Sequence, residues 1–422
     1  MKRYLSVITM FLVTVMVFAG GSKEAEGVAL RVGSSSIGPD NMTVFMDSVA
    51  EFEAANPGVT VDWDSSSGDD YQFAGLPALL QSDNPPDLYF EWGGNRVKNH
   101  YLDGEAMEIS DLADEYRSLF SSSAWSGFTV GDEVYGMPLN QDITIQMWYN
   151  AAIFDELGLS VPETWDDFLD VCEAIKQSGR TPIVMGNADA WVAGNFAGLL
   201  LYRMAGNEKA ESIMGLEAGY SLDDPDFVRA LQLAYDLGKS GYVNADMNTL
   251  GYEESFVRIV DGSAAMYPLG SWYPSEIEYV GIDFEDSGHD YFMVPAIAGG
   301  KGDQTSILGL NTGYVINAET KHKDLVYDLV RTMYSRAFQE RHSREGGGMV
   351  VWDGANAVDS PVVAKMVEDL NTAGSIVAPP DTGYNLEMAF ALYEAIARVF
   401  ENQVTPAEAL AEAEAKIAYL RQ

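Results

Sequence analysis

The sequence has 422 residues, enough for two or three domains, and its 47% hydrophobic content supplies more than one core. With 25 Lys and Arg against 64 Asp and Glu the net charge is −39, which argues against nucleic acid or anionic lipid as a partner. Intrinsic disorder is excluded as well, because 22 Tyr, 18 Phe and 8 Trp are too many large apolar side chains for an unfolded chain.

The chain opens with Lys2 and Arg3, an apolar run from Tyr4 to Phe18, and small residues at Val17-Phe18-Ala19. That order predicts an export signal over 1–19, cleaved after Ala19. Gly20 stands where a lipoprotein would carry its cysteine, so residues 20–27 read as a polar tether without a lipid anchor. The protein is accordingly expected in the periplasm or at the cell surface.

After the tether, Val28–Val32 is a strand pattern closed by Gly33-Ser34-Ser35-Ser36. Val44, Phe45, Val49 and Phe52 then share one helical face, and the helix ends at Asn56-Pro57-Gly58. Strands at Val59–Trp63 and Asp87–Phe90 flank a helix over Leu76–Gln81. This β-α-β-α-β order predicts a mostly parallel sheet whose ligand-facing edge is the carboxyl ends of its strands. Further along, Val134–Pro138 leads into a strand over Ile143–Tyr149, followed by a helix starting at Ala151. Pro162–Lys176 is helical with Trp165, Phe168, Cys172 and Ile175 on one face, so the single cysteine is a core residue. One thiol excludes a disulfide framework and a Cys-based zinc site. Helices are predicted at 196–204, 226–240, 252–261, 323–334, 361–370, 387–402 and 406–420, with strands at 264–267 and 291–294.

Catalytic signatures are absent from the sequence. It has no Gly-x-Ser-x-Gly elbow, no phosphate-binding loop and no dinucleotide fingerprint, and its four histidines lack metal-ligand spacing. Asp62, Asp64 and Ser66 begin like a calcium loop, but Ser67 and Phe73 stand where glycine and glutamate are needed. No metal or other cofactor is expected.

Several segments, taken in order, carry a family likeness. They are Phe52–Val61; Asn84-Pro-Pro-Asp-Leu-Tyr-Phe-Glu-Trp92-Gly-Gly; Val134–Pro138 with Met147–Asn150; Pro162-Glu-Thr-Trp-Asp-Asp-Phe168; Asp261–Met266 with Gly270-Ser-Trp272; and Thr405–Leu410. Together they resemble the family 1 extracellular solute-binding proteins, the maltose-binding-protein-like sugar receptors of ABC importers. The resemblance implies a two-lobed α/β fold, each lobe a mostly parallel sheet flanked by helices, joined by hinge strands near Pro138–Asn140 and Pro295. It assigns 28–139 and 296–347 to one lobe and 140–295 and 348–422 to the other. It further implies a monomer that closes over a small-molecule ligand, expected to be a neutral saccharide, and docks on a membrane permease driven by a separate ATPase.

A sugar site needs aromatic faces beside hydroxyl-bonding polar groups. Trp92, Trp191, Trp272 and Trp352 are the candidate aromatics, and Asp142, Asp64, Glu91, Ser36 and Asp381 the candidate polar partners. Trp125, Trp148 and Trp165 read as structural. A secreted carbohydrate-active enzyme and a receptor for a polyol or compatible solute are the competing classes.

Overall fold

Alternation of apolar side chains sets the first strands in place. In β1 (Val28–Ser35) Leu30 and Val32 are fully buried, and β1 pairs in parallel with β2 (Val59–Ser66) on one side and β3 (Leu88–Trp92) on the other. The connecting helix Pro39–Ala55 lays Val44, Phe45, Val49 and Phe52 on the sheet, as the spacing predicts. The computed structural model describes residues 27–35, 39–66, 68–346 and 348–421; the export signal and Ser36 lie outside the described residues.

Next come a short hairpin of β4 (Thr129–Val130) and β5 (Glu133–Val134), then β6 (Met137–Ile143) and β7 (Gln146–Asn150). The single strand expected over 143–149 is therefore two, separated at Thr144–Ile145, and they belong to different sheets. β8 (Thr181–Ile183), β9 (Ala264–Leu269) and β10 (His289–Phe292) join β7 in a four-stranded sheet ordered β10-β7-β9-β8. β11 (Ile307–Ile316) and β12 (Ile376–Val377) complete the first sheet, ordered β12-β11-β3-β1-β2 with β6 also on β11. The expectation of mostly parallel sheets fits β1–β3. In the second sheet only β8 and β9 are parallel, because β9 and β10 both run antiparallel to β7 from its two sides.

β11 was not anticipated. Gly309, Asn311 and Gly313 interrupt its apolar run, so nothing in its composition marks a ten-residue strand. It nevertheless carries the architecture, pairing antiparallel with both β3 and β6. The ladder to β6 shifts register between Thr312 and Gly313, and a Cβ on Gly313 would collide with the Met137 carbonyl oxygen. Gly313→Ala is expected to lower thermal stability by several degrees, an overpacking cost of about 1–3 kcal/mol; an unchanged melting curve would contradict this.

Two main apolar clusters define the lobes. One gathers Leu30, Phe45, Leu88, Leu139, Tyr314, Val330 and Tyr334. The other gathers Trp148, Phe168, Cys172, Phe196, Leu231, Tyr267, Tyr291 and Leu392. Ile297, Ile307 and Leu308 pack in the second cluster, and Val351 in the first. Residues 296–308, given to the first lobe from the sequence, thus sit with the second, and the chain changes lobe within β11 rather than near Pro295. Trp125, Trp148 and Trp165 are buried; the Trp148 indole donates to the carbonyls of Leu269 and Gly270 at 3.2 and 3.1 Å. Cys172 is fully buried, which pushes its thiol up out of the reactive range.

Candidate functional site

Between the two clusters lies a cavity of about 610 Å³, lined from both lobes. The second lobe contributes an aromatic wall. Trp191 opens the helix Trp191–Ala205, Tyr252 opens the helix Tyr252–Val260, and Trp272 follows β9. The Trp191 ring lies 5.2 Å from Tyr252 and 6.2 Å from Trp272, and the Trp272 indole donates to the Tyr252 hydroxyl at 2.9 Å. All three rings are half-buried, which leaves apolar face on the cavity side.

The first lobe contributes polar groups and a second aromatic corner. Ser34 and Ser35 end β1, Asn41 comes from the first helix, and Gln72 from the π-helical turn Tyr71–Gly75. Phe90 and Trp92, two apart on β3, both face the cavity and meet edge to face at 5.0 Å. The Arg96 guanidinium covers the Trp92 ring at 5.4 Å. Asn140 and Asp142 project from β6, Thr312 and Tyr314 from β11. His342 is buried between Asn41 (2.6 Å) and Asn140 (2.9 Å), and burial depresses its imidazole to about 4. In both contacts the asparagine Oδ1 is the atom that faces the ring nitrogen.

Of the sequence-derived candidates, Trp92, Asp142, Trp191, Trp272 and Asp381 are brought together on the cavity lining. Three are not. Glu91 alternates with Phe90 and Trp92 and so points to the other face of β3, where it is fully buried and bound to Arg96 and His100, both at 2.6 Å. Asp64 is exposed on β2, the edge strand farthest from the crossing strands. Trp352 packs on Phe120 at 5.7 Å and Tyr116 at 6.3 Å, at the margin of the first-lobe core. Sequence reasoning missed Tyr252, Phe90, Gln72 and His342. Tyr252, Phe256 and Ile259 share a helical face, and nothing in the sequence separates Tyr252 from its buried neighbours.

Asp142 sits where the lobes join. The hydroxyl of Ser271 donates to it at 3.0 Å from the second lobe, and that of Thr312 at 3.4 Å from β11. Burial raises its carboxyl to about 7 despite these bonds. A raised carboxyl holds its proton in the folded state while the unfolded chain releases it. Stability from this group is therefore complete below about pH 4 and falls as pH rises to about 7. Asp142→Asn is expected to melt higher than the parent at pH 8 and close to it at pH 4, read from melting curves across that range. Equal differences at both pH values would refute the assignment. Asp381, also buried, is held in the short helix Pro380–Gly383; its Oδ1 has no hydrogen-bond partner among the described residues, and burial raises its carboxyl too.

Among the described residues, no group of three His, Cys, Asp or Glu is placed to hold a metal ion, and no helix is long and apolar enough to cross a membrane. A sequence model of the bacterial extracellular solute-binding proteins matches residues 37–340. The chain belongs to that family. This solute-binding protein is 27% identical to the multiple sugar-binding protein of Streptococcus mutans over 265 residues. That match covers 61% of this chain and 55% of the relative, so it spans little more than half of the relative's length. Its fold is shared with a chitin oligosaccharide binding protein of known structure, with a TM-score of 0.84, 23% identity, and coverage of 94% of this chain and 99% of the other. It is shared also with the solute-binding protein RafE in complex with raffinose, at a TM-score of 0.76 and 20% identity, covering 93% of this chain and all of that one. The two-lobed α/β fold implied by the sequence segments is thus the fold of this solute-binding protein.

Proposed function

We propose that this solute-binding protein is the exported receptor of an ABC importer, working at the periplasmic or outer face of the membrane. It takes a saccharide into the interlobe cavity, closes over it by bending at the crossing strands β6 and β11, and delivers it to a membrane permease driven by a separate ATPase. One observation carries the reading: an aromatic wall of Trp191, Tyr252 and Trp272 stands in one cavity with amide, hydroxyl and carboxylate groups of the other lobe. Aromatic faces cover the C–H surface of a pyranose, and the polar groups fix its hydroxyls by direction. The sugars named for the Streptococcus relative and for the two structural neighbours support the same ligand class. Because the groups come from both lobes, the full set of contacts exists only when both touch the ligand, which is what drives closure.

A thermal-shift screen of the protein against mono- and oligosaccharides, polyols, betaines and amino acids tests this. A ligand at 100 times its dissociation constant adds about 2.7 kcal/mol to native stability, so one saccharide class is expected to raise Tm clearly. A rise only with a betaine or an amino acid would keep the fold and overturn the function.

A further inference from the structure

We propose that the saccharide this cavity accepts carries a protonated amine: an amino sugar or an oligosaccharide of amino sugars. The inference rests on the receptor reading and replaces the neutral ligand expected from sequence. Seven carboxylate residues line the cavity and, among its described lining, no Lys or Arg does. The chain as a whole has 25 cationic to 64 anionic residues, so seven carboxylates would ordinarily bring two or three cations with them.

The arrangement of these acids matters more than their number. Asp70, Asp189, Glu253 and Glu254 are exposed at the mouth, whereas Asp142 and Asp381 are buried, at 7% and 5% exposure. Neither buried acid forms an ion pair with any described residue. Arg96, whose charge reaches Asp381, is already bound to Glu91 at 2.6 Å. Asp381 Oδ1, moreover, has no hydrogen-bond partner of any kind among the described residues.

Buried without a cation, these two acids on the cavity lining hold their protons longer than an exposed carboxyl does, and an arriving ammonium supplies the charge that favours their ionised form. A sugar hydroxyl offers such a group one hydrogen bond. An ammonium offers up to three donors together with the compensating charge, and charge-assisted hydrogen bonds are about twice as strong as neutral ones. The half-buried faces of Trp191, Tyr252 and Trp272 attract a cation as well as a C–H surface. Each feature tolerates a neutral sugar; together they favour a cationic one.

The test is calorimetry with matched pairs that differ only by hydroxyl or ammonium at carbon 2: glucose and glucosamine, galactose and galactosamine, mannose and mannosamine, cellobiose and the chitosan disaccharide. In at least one pair the amine is expected to bind on the order of tenfold tighter. Asp381→Asn is expected to erase most of that advantage by lowering the amine's affinity toward that of its neutral partner. Should Asp381→Asn fail to fold, the exposed Glu253→Gln/Asp189→Asn double variant should reduce the advantage and its salt dependence instead. Neutral partners binding as tightly as the amines, or tighter, would overturn the proposal and leave the receptor reading standing. If no saccharide of either kind binds, both fall together.

Discussion

Trp272→Ala is expected to weaken saccharide binding by about 2–3 kcal/mol, roughly 30- to 150-fold, while leaving the ligand-free melting temperature nearly unchanged. Two losses combine in this variant. One of the two indole rings of the second-lobe wall disappears, and the Tyr252 hydroxyl loses the indole N–H that donates to it at 2.9 Å. The ring lies flat over Gly270, where a Cβ would collide with it, so its orientation is set before any ligand arrives. Because Trp272 is half-buried rather than part of the core, its removal opens little cavity in the apoprotein. Calorimetry on the parent and on Trp272→Ala and Trp272→Phe separates the contributions: phenylalanine retains a stacking face but not the donor, and is expected to fall between the other two. Parental affinity in the alanine variant would remove Trp272 from the site.

Glu91→Ala is expected to cost about 3–5 kcal/mol of stability, the range for breaking a buried ion pair from one side. Glu91 accepts from Arg96 and from the Trp92 backbone N–H through one oxygen, and meets His100 through the other. The far nitrogen of His100 meets Glu105 at 2.6 Å, so the imidazole is held between two carboxylates. Burial works against charge on Glu91, but Arg96 and His100 outweigh it and hold its carboxyl down at about 2, while the bonds to Glu91 and Glu105 raise His100 against its own burial. The signs follow from linkage. A depressed carboxyl contributes fully above its unfolded value, about 4.3, and loses that contribution as pH falls toward 2. A raised histidine contributes below its unfolded value, about 6.5, and its contribution fades as pH rises through the folded value. The parent's advantage over Glu91→Ala should therefore be greatest on the mildly acidic side of neutrality and shrink in both directions. Melting curves from pH 3 to 9 read this directly, and a pH-independent difference would mean that packing rather than charge holds the cluster together. The same variant should loosen Trp92, whose ring is covered by the Arg96 that Glu91 holds in place.

Periodicity made much of the fold legible. The helix Pro39–Ala55, the helix Trp165–Gln177 and the C-terminal helix Pro406–Ile417, with its Thr405–Glu408 capping box, lie within a few residues of their predicted bounds. Amphipathic stripes and caps are local signals, and these helices are decided locally. β11 was invisible because its conformation is imposed by β3 and β6, strands far away in sequence, and its glycines carry no pattern of their own. The same distinction runs through the site. Trp191 and Trp272 were found through the family likeness and Asp142 through its place among polar residues. Glu91 was misplaced because a loop-end motif does not tell which face of a strand a residue takes. His342 and Gln72 enter the cavity only through tertiary packing, and no local pattern announces them.

β11 also dictates the order in which the molecule can be completed. It follows β3, its partner, by more than two hundred residues, and most of the second lobe's core is encoded between them. A chain emerging from its amino end therefore holds the β3 edge of a parallel sheet open until the whole insertion has passed. Open edges invite pairing with other chains, and contacts this distant in sequence form slowly. The second lobe has most of its core material before the first lobe can close, although its final helices arrive later still. Neither lobe can be cut out as a continuous stretch of gene, so a working half-protein would require circular permutation at the crossings rather than truncation.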